Sequence, residues 1–320
     1  MKLGVFTALF SNRSLEEALD AAKAAGLAAV ELASGGYVGK AHIAPSELLQ
    51  NPAAIERIIE LVKERGLTIS ALSCHGNPLH PNKEQAEADH NDFTDTVKLA
   101  SQLGVDTVIT FSGCPGDSEH SLYPSWVTCA WPPDFQQVVE WQWTNKVIPY
   151  WREQSEFCRS YNVRVAIEAH PGFVVYNTET ALRLRREAGD NIGVNFDPSH
   201  LFWQAMDPVE CIKALGGAIY HVHAKDTSID RRNTALNGVL DVKPYASELE
   251  RSWIFRTIGY GNEAKVWKDI VSTLRKIGYD GVISIEHEDS LMSVQEGFLK
   301  AAQFLNELII GEKAGEMWWA

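Results

Sequence analysis

The sequence predicts a single α/β domain folded as a (β/α)8 barrel, the TIM-barrel architecture, with long loops after the fourth and seventh strands. Eight short apolar runs, each suited to a buried strand, alternate with helical patterns along the 320 residues. That length is ordinary for eight β/α units and can bury a full core without disulfide staples. The rival, a doubly wound open sheet, ordinarily shows fewer strands and a glycine-rich nucleotide turn, and the sequence has no such turn.

The elements follow in order. Residues 3–7 read as the first strand. Ser14 then caps a helix, with Glu17 three residues on completing a capping box, and Gly26 stops it. Residues 28–32 form the second strand, followed by a helix from near Pro45 to Arg65 that ends at Gly66. Residues 68–73 are the third strand, and a polar helix over 83–103 ends at Gly104. The remaining strands fall at 106–111, 163–169, 191–196, 219–224 and 281–286, and residues 293–310 form the last helix. The barrel is expected to occupy 1–312, leaving 313–320 as a tail. The tail's Met317, Trp318 and Trp319 are apolar for a free terminus and are expected to pack on the barrel or on another subunit.

Two connections exceed plain turns. Residues 113 to about 136 carry Cys114, Pro115, Pro124, Trp126, Trp131, Pro132 and Pro133; the second runs over 227–261. Both follow strands at the face where barrels build active sites, where long ordered loops cover substrate or make subunit contacts. Trp126, Trp131, Trp141, Trp143 and Trp151 crowd the first of these regions. Subunit contacts are expected to account for more than half of them, and stacking on sugar faces for the rest.

Composition narrows the function classes. Hydrophobic residues make up 45% and charged residues 22%, the balance of a soluble globular protein. A net charge of −13 repels phosphate backbones and anionic lipid, which argues against nucleic-acid and membrane partners. The five cysteines form no CxxC pair and are read as reduced thiols of a cytoplasmic protein, with a Cys114–Cys129 bridge as the alternative. The N-terminus has no signal-peptide layout, and no apolar run is long enough to span a bilayer.

The chemistry concentrates at the ends of the last four predicted strands. Side chains alternate between two faces of a strand. Ala166, Glu168 and His170 therefore share a face, as do Gly193, Asn195 and Asp197, then His221, His223 and Lys225, then Ser284, Glu286 and Glu288. Burying so many charges uncompensated would cost several kcal/mol apiece. A divalent cation held by Glu168, Asp197, His223 and Glu286 resolves this. Three carboxylates and one imidazole suit Mn²⁺ first, with Mg²⁺ or Co²⁺ as alternatives, better than a structural zinc. The competing reading is a buried salt-bridge network using Lys225, Arg164 and Arg231.

The runs Ile167-Glu168-Ala169-His170-Pro171, Asn195-Phe196-Asp197-Pro198-Ser199-His200, His221-Val222-His223-Ala224-Lys225-Asp226 and Ile285-Glu286-His287-Glu288-Asp289 resemble, in order, those of the xylose isomerase-like TIM-barrel superfamily of sugar (phosphate) isomerases and epimerases. The resemblance covers nearly the whole chain. It implies metal ligands at Glu168, Asp197, His223 and Glu286, and a substrate-contacting histidine at His200. It also implies that Glu168 and Glu286 flank the reacting carbon as base and acid. His170 shares the face of Glu168 and is either an additional base or a structural prop. His75, at the end of the third strand, points to the same mouth as a candidate substrate contact. Lys225 either binds a substrate hydroxyl or pairs with Asp226 or Glu288. His221, one layer deeper than His223, is expected to be a buried, hydrogen-bonded core residue.

The pattern departs from its relatives in two places. The ketose 3-epimerases it resembles carry a glutamate six residues beyond the first metal ligand, where this chain has Val174. The DNA-repair endonucleases of the same fold carry an Asp-x-His pair after the seventh strand that this chain lacks between His223 and Gly281. The reaction expected first is isomerisation or epimerisation of a sugar through an enediolate. The alternative is β-elimination from a 3-oxo-glycoside, as implied by resemblance to the α subunits of C-glycoside deglycosidases, or inosose dehydration or isomerisation. A homo-oligomer is expected, and the deglycosidase branch adds a small β-rich partner subunit. A non-catalytic metabolite-binding barrel is the reading outside enzymology, and it would not require four ionisable ligands around an open metal position.

Overall fold

The predicted alternation of strands and helices closes on itself in the computed structural model, which describes residues 1–313 and 315–320. The strands are β1 (Lys2–Phe6), β2 (Ala29–Gly36), β3 (Thr68–His75), β4 (Thr107–Phe111), β5 (Arg164–Glu168), β6 (Ile192–Phe196), β7 (Ile219–Ala224), β8 (Asp226–Ile229), β9 (Trp253–Arg256) and β10 (Val282–Ile285). Eight of them form a closed parallel barrel in the order β1-β10-β7-β6-β5-β4-β3-β2. Strands β8 and β9 pair antiparallel as a separate ribbon. The barrel is thus the predicted (β/α)8 fold.

Strand faces explain the core. Outward-facing Leu32, Leu72, Val108, Val165 and Val194 join buried helix residues such as Leu19, Trp151 and Trp267 in one apolar cluster. Each such side chain contributes roughly 1.5–3 kcal/mol when fully buried. Inside the barrel, Ala71, Ile109, Ala166 and Tyr220 pack one layer below Glu168. Gly193 makes room for this: a Cβ there would lie 2.3 Å from the Tyr220 ring. The polar layer therefore rests on an apolar floor.

The predicted helix ends are capped as expected. Ser14 and Glu17 form the capping box, and Gly104 takes the left-handed conformation that ends the long polar helix Lys83–Leu103. One predicted helix is two: Pro45–Leu48 and Pro52–Glu64. Pro52 has no N–H to continue a helix and sits instead in the first turn of a new one, which Asn51 caps by accepting from the Ala54 N–H.

The two long connections differ in character. No helix or strand falls between Phe111 and Pro133. Trp126 packs against Phe111, Cys114 and Phe173 on one side, and against Trp203, Trp253 and Phe255 on the other. Trp143 and Trp151 do not serve the surface: both are buried, and Trp151 Nε1 donates to the Ser112 carbonyl. Their helix turns its apolar face to the barrel, so core packing explains them better than a subunit contact. The second connection is not a loop but the β8–β9 ribbon with a short helix, Arg231–Asn237. It is anchored by Asp226, which accepts from the N–H groups of Gly259, Gly261 and Asn262 and from Trp267 Nε1.

All five cysteines are free. Among the described residues no helix is long and apolar enough to cross a membrane. Met317, Trp318 and Trp319 are exposed. The expected tail also contains Ala314, which lies outside the described residues.

Candidate metal centre

Parallel register sets the height of each side chain. Glu168 on β5 lies level with Asn195 on β6, Asn195 with His221 on β7, and His223 with Ser284 on β10. Asp197 follows β6 by one residue and Glu286 follows β10 by one. Glu168, Asp197, His223 and Glu286 thus converge at the carboxyl ends of four neighbouring strands. One ligand atom from each lies within 4.8 Å of the others.

Each of the four is held from behind. Asn195 Nδ2 donates to Glu168 Oε2 at 2.8 Å, and His75 Nε2 approaches the same oxygen at 3.1 Å. The Ser199 N–H and hydroxyl donate to the two Asp197 oxygens, both at 2.9 Å. Lys225 Nζ lies 3.0 Å from Glu286 Oε1, 3.0 Å from Glu288 Oε2 and 3.3 Å from Asp197 Oδ2. His223 stacks on Phe6 with ring centroids 5.6 Å apart.

The donor set fits a divalent cation on an independent ground. His223 Nδ1 sits 3.0 Å from Glu286 Oε2 and 3.3 Å from Glu168 Oε2. Yet His223 Nδ1 and Glu286 Oε2 are both buried and have no hydrogen-bond partner. Buried polar atoms are normally satisfied. A cation between these atoms would satisfy both, with mainly hard oxygen ligands.

The charges are strongly coupled. Burial favours the neutral form of Glu168, but the His200, His223 and His75 imidazoles that close on its oxygens outweigh it and hold the carboxyl well below its usual range. Asp197 is likewise lowered against burial, chiefly by the Lys225 charge. Lys225 is raised well above its ordinary value because Glu286 and Glu288 outweigh its burial. His200 is buried too, but Asp197 lifts it to about 9. His170 goes the other way, pushed down to about 3 by burial and by the neighbouring His200 charge.

The sequence-predicted residues therefore gather around one point, with distinct surroundings. His200 Nε2 lies 3.1 Å from Asp197 Oδ2 and 3.3 Å from Glu168 Oε1. The His170 ring sits 4.1 Å from that of His200, and its Nδ1 lies 2.7 Å from the Pro171 carbonyl. A carbonyl can only accept, so Nδ1 carries the proton and Nε2 is left as a base. His170 lines a cavity of about 380 Å³ with Tyr245, Ile254, Phe255, Glu288 and Ser290. His75 is buried against Glu168 and Phe111. Lys225 pairs with Glu288, as one alternative held, but Asp226 faces away and ties down the β8–β9 ribbon instead. His221 is buried, with Nδ1 3.2 Å from Asn195 Oδ1. Of the cations in the competing salt-bridge reading, Lys225 is here, whereas Arg164 pairs with Asp106 beside Thr107, at the start of β4.

Two contributors escaped the sequence reading. Glu31 on β2 is fully buried and faces His223 Nε2 from the opposite side of the ring. Phe255 on β9 meets His200 edge-on at 5.4 Å and lies beneath Lys225 Nζ at 4.8 Å. Glu31 carried a signal in the sequence, an acid between Val30 and Leu32 in a strand buried on both faces. Phe255 carried none, because its segment reads as part of a long connection.

A closed parallel barrel with acids and histidines massed at the carboxyl ends of its strands is an enzyme architecture of the (β/α)8 class. The chain belongs to the xylose isomerase-like TIM barrel family, whose model matches residues 19–308. It is 35% identical over 313 residues to YfiH, an uncharacterised protein of Bacillus subtilis, covering 97% of this chain and 99% of that protein. Among solved structures it resembles the probable 3-DHS dehydratase AsbF of petrobactin synthesis from Bacillus anthracis. That match has a TM-score of 0.66 at 19% identity, covering 96% of this chain and 99% of the other. It also resembles the IolI protein, solved with a zinc atom bound, with a TM-score of 0.66 at 18% identity over 97% and 98% of the two chains. At such identities these structural likenesses show the fold.

Proposed function

We propose that this chain is a divalent-metal-dependent sugar isomerase or epimerase that moves a proton at the carbon beside a carbonyl. Glu168, Asp197, His223 and Glu286 hold the metal, with Mn²⁺ preferred for its hard, oxygen-rich ligand set. When bound, such a cation polarises a carbonyl oxygen and acidifies the adjacent C–H. The observation that carries this reading is the buried, unpartnered pair of atoms, His223 Nδ1 and Glu286 Oε2, 3.0 Å apart among four converging ligands.

The chain's own groups divide the remaining work. Glu168 and Glu286 face the same point from the two ends of the run of four strands and take and return the proton. Lys225 offsets part of the negative charge that Glu286, Glu288 and Asp197 bring together. His200, held protonated by Asp197, donates a hydrogen bond to a substrate oxygen. The cavity beside His170 receives the rest of the substrate.

A second reading, β-elimination by a lyase, is favoured by one specific observation. His170 is neutral and keeps an unprotonated Nε2 at the cavity wall, so a base stands ready beyond the ligand carboxylates. The likeness to a probable dehydratase is in line with it. A homo-oligomer is part of the proposal, since Leu240, Val242 and Leu249 expose apolar surface on the excursion that carries β8 and β9.

Incubation of the Mn²⁺-loaded protein in D₂O with ketoses, inososes and 3-oxo-glycosides separates the readings. Deuterium in recovered sugar supports isomerisation or epimerisation. Aglycone or water loss supports elimination. Neither outcome with any candidate class would reject proton transfer at a carbonyl-adjacent carbon.

A further inference from the structure

We infer that Glu31 is a positioning residue for the metal centre: it fixes the tautomer and the orientation of His223, so that Nδ1 is presented to the cation. The inference rests on the metal site proposed above and adds to it a residue from the opposite side of the barrel.

Glu31 is one of the least accessible charged groups in the molecule, at 0% exposure in the barrel interior. Strand alternation would place it inward with Ala29 and Ala33, and a register shift between Val30 and Glu31 in the pairing with β3 adjusts its position. Its two oxygens lie 2.9 and 3.1 Å from His223 Nε2. Ser73 on β3 donates a short hydrogen bond to the same carboxylate. A carboxylate can only accept, so His223 Nε2 must carry the hydrogen. In the neutral imidazole, the form that ligates a metal, the lone pair then falls on Nδ1, the atom that faces Glu168 and Glu286.

Two further contacts make this a holder and not an incidental pair. The two-oxygen approach of Glu31 limits rotation about the ring axis, and Phe6 stacks at 21° to the imidazole plane and limits its tilt. Without Glu31, the ring could turn its other nitrogen to the site or leave a buried N–H unsatisfied. Carboxylate groups behind metal-bound histidines raise ligand basicity in the same way, and their loss typically weakens metal binding about 10- to 100-fold.

The test is Mn²⁺ affinity, read from the EPR signal of free Mn²⁺ during titration, with no substrate present. The wild-type chain and Glu286→Gln come first, as controls on the site itself. If the wild type binds one Mn²⁺ and Glu286→Gln loses it, the site stands and the variants of Glu31 judge this inference. Glu31→Gln keeps an acceptor and removes the charge, so affinity should fall about 10-fold; Glu31→Ala removes both, so it should fall about 100-fold. Both should retain the far-UV circular dichroism of the wild type. Wild-type affinity in either folded variant overturns the inference while leaving the site intact. Should both variants fail to fold, Ser73→Ala decides: it keeps the Glu31 charge and frees the carboxylate to move. Weakened Mn²⁺ binding there supports the role, and unchanged binding overturns it. A wild type that binds no Mn²⁺ rejects the site and the inference together.

Discussion

At the scale of single residues, neighbours set what each ionisable group can do. Glu286 has one oxygen on Lys225 and the other unpartnered toward His223. Glu286→Gln should therefore weaken Mn²⁺ binding and cut kcat by about 10²-fold or more, since a ligand and a proton carrier are lost together. Normal metal content with normal turnover would exclude Glu286 from the site. His170 touches His200 and Phe111 but is not one of the four converging ligands. His170→Ala should keep Mn²⁺ content and lower kcat by about 10²- to 10⁴-fold if it is a base. Loss of metal in that variant would make it a prop of the site. Much of this arrangement was legible in the sequence, because four acid- or histidine-bearing runs fall at the ends of successive apolar strands. Glu31 is less legible because it stands alone on the second strand, far in sequence from the four runs, although its apolar flanks Val30 and Leu32 require it to find a buried partner.

At the scale of elements, strand positions were readable to within a few residues because each strand is an apolar run bounded by turn residues. Tertiary organisation of the long connections was not. The segment after β7 reads as loop because its strands are only four residues each, and their pairing depends on Asp226 gathering N–H groups from 33 to 36 residues away. The break in the predicted helix at Asn51-Pro52 was visible in principle, since proline there ends one helix and begins another. The segment between these helices and β2 carries a pH-dependent tie. His42 Nε2 lies 3.2 Å from both the Phe10 and Arg13 carbonyls, so it carries the hydrogen. Burial lowers its pKa from the ordinary 6.5, against the two carbonyls that favour its charge. The folded chain then binds this proton less readily than the unfolded one. Its stability is full above 6.5 and declines as pH falls through that value toward the folded pKa. Thermal melting of the metal-free protein should fall less between about pH 7.5 and 5.5 in His42→Gln than in the wild type. An identical fall would remove His42 from the acid side of the stability profile.

At the scale of the whole molecule, the barrel does for charge what no single element could. Its apolar floor of Ala71, Ile109, Ala166 and Tyr220 carries a layer of buried acids and histidines that are compensated only in combination. Such a layer is costly unless each charge is paired and hydrogen-bonded. Lys225 and the histidines supply part of that compensation, and the facing unpartnered atoms His223 Nδ1 and Glu286 Oε2 mark the place of the rest. The central claim is that one divalent metal binds there. Crystals of the Mn²⁺-loaded protein, measured near the manganese absorption edge, test it most directly. The account predicts one anomalous peak within about 2.0–2.3 Å of His223 Nδ1 and of carboxylate oxygens from Glu168, Asp197 and Glu286. A peak elsewhere, or none at saturating Mn²⁺, would contradict it.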